Sequence, residues 1–428
     1  MDPQALIDPI GPGAPPAPFW FIQFFKVLGF TLHAVPMNLW YAGLVLAMLF
    51  RLRGHEHGRR FADRLMAQMP VIIALGVNLG IVPLLFTQLA YHKFFYPATI
   101  LMAWFWLAII GLLTAAYYGV YIYASGLSEG GQGSGVRGQG SGVRGQGSGV
   151  RDSTPVDQSS IINHQSSIMR PRPLVPGPRP LTVAGWIAAV FFIIIGFLFA
   201  NGLSLMDHVD RWGELWLSHS TGGAALGTAL NVSDATLLPR WLLMFGLALT
   251  TTAVWMLVDQ AWFAARESPD YKRWVSGAAP KLYTLGMVWF AVAGSWYVFG
   301  AWSPELRGSM FGGWKLALAM ATAVAPALPW VLMMAAWRAT ASGSQTAPGR
   351  VTVSLVALAQ FGVLAVNAVS RQVVQNLNLA EFFQWSDQPV GEWSPLVVFL
   401  VLFVAGLGVV VWIVAQVVKA PAGGVGSG

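Results

Sequence analysis

FWFIQFFKVLGFTLHAVPMNLWYAGLVLAMLF, residues 19–50, is the stretch on which the fold turns. It outruns the roughly 20 apolar residues that a helix needs to cross a bilayer. Near its centre stands His33, and no other apolar segment carries a central histidine. An ionisable side chain at bilayer depth is costly and faces a bundle interior, a water path or a cofactor. An imidazole there suits haem or metal ligation, or a proton relay. A hydrogen-bonded structural histidine is the plainer alternative.

The rest of the chain agrees with a membrane setting. Of its 428 residues 55% are hydrophobic and only 10% are charged, too few charges to coat a soluble protein of this length. Twenty Trp and ten Tyr suit aromatic belts at the two interfaces. Having no cysteine, the chain offers no disulfide, thioether-attached haem or thiolate cluster ligand. The net charge of +7 would suggest nucleic acid only if the basic residues shared one face, and they follow a membrane topology instead. The fold class expected is an all-α, polytopic membrane helix bundle.

Eight further apolar segments follow the first, at about 67–91, 98–124, 182–206, 240–264, 281–302, 313–337, 351–371 and 394–418, giving nine spans. If residues 51–64 are cytoplasmic, alternation places 18 of the 25 Lys and Arg on that side. The asymmetry orients the chain N-out and C-in, as in a multi-pass protein of the bacterial cytoplasmic membrane. Residues 1–18 form an extracytoplasmic segment without a basic n-region, and so do not read as a cleavable signal peptide. Between a three-helix unit (19–124) and a six-helix unit (182–419) lies an insert, 125–181, with three identical GQGSGVR heptads. Its Gly/Ser-rich composition reads as a disordered cytoplasmic linker, and 420–428 as a flexible tail. The loop 207–239 is expected to carry one short interfacial helix around Trp212 to His219.

Several side chains could carry chemistry. A low-spin haem needs two axial ligands on facing helices. Met37 shares a helix with His33, so Met287 is the methionine able to sit opposite. His92, His208 and His219 lie toward the outer face, as ligands or as solvated loop residues. Asp259, about one turn from the cytoplasmic end of its span, and the embedded Asn78 could mark a proton path. Other embedded amides, Gln360 among them, bridge helices more often than they bind ligands. Arg371 ends a span with Gln372 and Gln375 at helical spacing; it could hold an anionic group, or snorkel to the interface.

Four features together resemble subunit I of the cytochrome bd quinol oxidases. They are the nine-span N-out plan, His33 on the first span, Gly76-Val77-Asn78-Leu79-Gly80 on the second, and Pro239-Arg240-Trp241-Leu242-Leu243 entering the fifth. Ser370-Arg371-Gln372 near the end of the eighth resembles that family's G-R-Q element. The resemblance implies a membrane subunit of a respiratory electron-transfer complex, holding b-type haem, with quinol as its candidate substrate and cytochrome or other membrane subunits as partners. It also marks departures. Positions that carry haem-ligating or acidic residues in the family hold Leu84, Leu243 and Asn367-Ala368, and the long quinol loop shrinks to about a dozen residues around 303–312. The resemblance therefore implies at most one or two haems, and oxygen reduction by this chain is not expected. Two other readings stand beside it: a haem-free anchor for a redox partner, and a proton or solute transporter. The transporter reading lacks the inverted repeat common to such folds.

Overall fold

The structure of the protein, a computed structural model, describes residues 17–53, 55–133, 178–343, 345–383 and 394–419. Most of the insert, the first sixteen residues and the tail lie outside these, and with them the expectations of a disordered linker and flexible ends.

The first span is α1 (Phe19–Asn38), a widened π turn (Leu39–Gly43) and α2 (Leu44–Leu52) in continuous line. Pro36, which cannot donate to the helical ladder, precedes the widened turn. The second and third spans are α3 (Glu56–Ala90) and, after the short α4 (His92–Leu101), α5 (Ala103–Gly133). The fourth, α6 (Pro178–Asp207), leads into the expected interfacial helix, α7 (Trp212–Ser218). A two-residue hairpin follows, β1 (Ser220–Thr221) against β2 (Ala224–Ala225), turning through Gly222 and Gly223 at positive φ. That conformation is one which glycine enters without a Cβ penalty.

The fifth and sixth spans are α8 (Leu237–Val258) and α9 (Pro269–Ser295), each ending in a π turn. After α10 (Pro304–Met310), the seventh is broken at Ala325–Pro326 into α11 (Trp314–Val324) and α12 (Ala327–Ala341). The eighth is α13 (Arg350–Leu379), and α14 (Ser394–Lys419) closes the chain.

Eight of these spans are long and apolar enough to cross a membrane. The described apolar part of α14, Leu396–Val409, is shorter, so the ninth expected span meets that measure only in part among the described residues. The fold is an all-α polytopic bundle. Its centre is α1, α3, α8 and α13, while α5, α9, α11 and α12 turn large apolar faces outward, as lipid permits.

Two boundaries differ from expectation for the same reason. The helix α3 begins eleven residues before position 67, because Arg60 and Arg64 near its start pair with Glu267 and Asp259. The helix α13 runs to Leu379 rather than ending at 371, because the amides of its last turns find protein partners. Polar side chains that tertiary neighbours satisfy no longer mark the end of a helix.

Candidate functional site

His33 lies on α1 against α3, with Nδ1 2.8 Å from the Gly76 carbonyl oxygen. Gly76 and Gly80 are where they are for this packing. A Cβ on Gly80 would stand 2.7 Å from His33 Cε1, and one on Gly76 would run into the Trp40 ring. The G-V-x-x-G element is thus a seat for one imidazole and one indole. With Nδ1–H donating to the carbonyl, Nε2 keeps its lone pair and makes no hydrogen bond among the described residues.

The other expected site residues are scattered. Met287 is half-buried in the main core, and nothing in the structure pairs it with His33. His92 opens α4, and His208 and His219 each bond locally, to the Ser204 and Leu215 carbonyls. Among the described residues no group of three or more His, Cys, Asp or Glu could hold a metal ion. In the same loop Asp234 sits beside His208 and accepts from Ser204 and Thr236. Burial pushes its carboxyl up, but these partners outweigh it and hold the group below the usual aspartate value.

The proposed proton path does not assemble. Asp259 is not water-accessible but 1% exposed, clasped by Arg64 at 2.8 and 2.9 Å and by Gln68. Asn78 lies about 21 Å along α3 from Arg64 at 1.5 Å per residue, on an exposed face, bonded back to the Ala74 carbonyl. The first is a buried ion pair joining α3 to α8, the second a capped amide facing outward.

What the structure does assemble is a cavity of about 320 Å³ between α1, α8, α9, α11 and α13. Apolar side chains form most of its wall, with Phe30, Leu247, Phe290 and Met310 among them. Its polar groups are Arg240, Arg371, Asn38, Asn367, Ser295, Tyr297, Thr322 and Ser370. Arg371 lies about 32 Å along α13 from Arg350, roughly one hydrocarbon thickness from the start of that helix. Arg240 stands in the first turn of α8. Both guanidiniums are therefore toward the same end of the bundle. On the outer side, Ala291 and Ser295 of α9 and Met320 and Ala323 of α11 line the cavity and are exposed. The helix α9 packs chiefly on α8 and α12, so these four residues make the exposed side of the wall.

Beside the cavity runs a buried polar network, much of it invisible in the sequence. Arg240 donates to Asp207 at 2.9 Å and to the Ala200 carbonyl at 3.2 Å. Gln375 donates to the other Asp207 oxygen at 2.9 Å and accepts from Lys26. Lys26 also stands 4.2 Å from the Tyr91 ring centre, and Gln372 donates to the Tyr91 hydroxyl at 2.6 Å. Lys26, Asp207 and Arg240 were not among the expected site residues. Lys26 could have been, since an ammonium inside the opening apolar stretch meets the same test as His33. The expectation that Gln360 bridges helices holds, for it joins Tyr283 to Thr250 and Thr251.

His33 does not line the cavity, and no histidine does, although Met37, Met244, Met310 and Met320 do. Two of the positions where the bd resemblance departs, Leu243 and Asn367, do line it. No family model matches the chain, and no curated protein matches it either.

Proposed function

We propose that the protein is a membrane subunit of an electron-transfer complex, similar in plan to cytochrome bd subunit I, whose cavity takes a quinone or quinol rather than haem. The observation that carries this is the cavity itself: an apolar chamber with its charged donors toward one end and an exposed side. A quinone is an apolar ring and tail with carbonyl oxygens that accept hydrogen bonds, and it lives in the bilayer. Such a ligand enters between α9 and α11, lays its body along Phe290 and Leu247, and offers its oxygens to Arg371, Asn367 and Ser370. Leu243 and Asn367, where the resemblance would place a histidine and a glutamate, form part of the cavity wall instead. Electron transfer then proceeds to a docked partner, for which this chain supplies the seat.

The test is saturable binding of a short-chain quinone to the purified protein in lipid nanodiscs. Ala323 is exposed on that side of the wall, so Ala323→Trp blocks entry without disturbing the core. Binding is expected in the wild type and lost in that variant at unchanged thermal stability. A wild type that binds no quinone sinks the reading. A Soret band that survives purification and vanishes in His33→Ala would put the haem reading in its place.

A further inference from the structure

Among the described residues the network beside the cavity holds more positive charge than negative. Arg240 and Arg371 contribute guanidinium cations, Lys26 adds an amine, and Asp207 is the one carboxylate bonded to the set. Asp207 spends one oxygen on Arg240 and the other on Gln375. The next carboxylate, Asp234, is engaged by Ser204, Thr236 and the neighbouring His208. Arg371 is left with no ion pair and no hydrogen bond among the described residues; its guanidinium lies 4.4 Å from the Phe30 ring centre and faces the cavity wall. An arginine keeps its charge in any protein setting, and a half-buried guanidinium with no anion bonded to it among the described residues, and Asp207 acting only through space, is costly for a fold to carry. Stacking on one phenyl ring recovers a small part of that cost.

We infer that the cavity's ligand carries an oxyanion on an apolar body, with the anionic head on the Arg371 guanidinium and its second contacts from Asn367 and Ser370. The three residues occupy one end of the same helix, four and three positions apart or adjacent, so they face the cavity together. A planar guanidinium is matched to a two-oxygen head and binds it through two parallel hydrogen bonds. Two sources supply this chemistry: the ionised head of a hydroxyquinone and the carboxylate of a fatty acid. This deepens the quinone reading and rests on the same cavity, but it can fail or stand apart from it.

The test compares matched pairs in nanodiscs at pH 8. One pair is a 2-hydroxy-3-alkyl-1,4-naphthoquinone and its 2-methoxy derivative; the other is dodecanoate and dodecanol. Each pair keeps the body and changes the charge of the head. The anionic member of at least one pair is expected to bind about tenfold or more tightly than its neutral partner, as a charge-assisted pair requires. Arg371→Gln should erase that preference, and Arg371→Lys, which keeps the charge but loses the two-pronged hydrogen bond, should keep only part of it. Equal binding of neutral and anionic heads overturns the inference while leaving the quinone reading intact. Preference for dodecanoate with no binding of either naphthoquinone upholds the inference and overturns the quinone reading. If Arg371→Gln does not fold, the head-group comparison in the wild type decides alone.

Discussion

An apolar segment with one histidine invites a search for a metal at that histidine, yet His33 is held first by packing. Its ring fits against α3 because residues 76 and 80 lack side chains, and its Nδ1 is committed to a carbonyl. Gly80→Ala should therefore destabilise the protein by about 1–3 kcal/mol, the usual cost of overpacking a tight site. In a His33→Ala background the same change should cost almost nothing, because the ring it would strike is gone. Thermal unfolding of the two single variants and the double variant measures that coupling. Additive effects would mean that the ring does not rest on Gly80. The sequence made His33 conspicuous but could not say which glycine faced it. That needed the pairing of α1 with α3.

Between elements, the closest approach is α8 against α9. A Cβ on Gly286 would meet the Thr250 nitrogen at 2.8 Å and the Gly246 oxygen at 2.9 Å, so the two backbones touch where both helices carry glycine. Without water to drive apolar association, membrane helices bind through such close backbone packing and through amide bridges like that of Gln360. Gly286→Ala has no flexible side chain to displace and must push the backbones apart. It should lower the melting temperature clearly in detergent, whereas Gly111→Ala, which has nothing within 4 Å, should leave it unchanged or raise it. A Gly286→Ala protein as stable as the wild type would show that this contact does not hold the helices. The helix extents were largely legible in the sequence, since apolar runs announce spans. The ends of α3 and α13 were not, since their charges and amides look like interface until their partners are known.

For the whole molecule, the distribution of Lys and Arg gives an orientation, and the structure adds a polarity within the bundle. The Arg64–Asp259–Glu267 cluster lies at one end, and Lys26, Asp207, Arg240 and Arg371 lie toward the other. If the chain is N-out and C-in, as its Lys and Arg distribution predicts, the cavity's guanidiniums lie near the outer face. A reporter that fluoresces only in the cytoplasm should light up when fused after residue 428 and stay dark when fused before residue 1. The reverse pattern would invert the topology and place the cavity's charged end inside.

By itself the sequence determined that this is an all-α membrane protein, about where its helices run, and that His33 and Arg371 are unusual. Hydrophobic runs and charge counts carry that information, because lipid imposes it locally on every segment. Only the tertiary structure decided that His33 packs against glycines, that Asp259 is sealed in an ion pair, and that Arg371 lines a chamber with no carboxylate bonded to it among the described residues. Those facts depend on which helix faces which. A buried charge takes its meaning from the partners brought to it, and those come from residues far away in the chain.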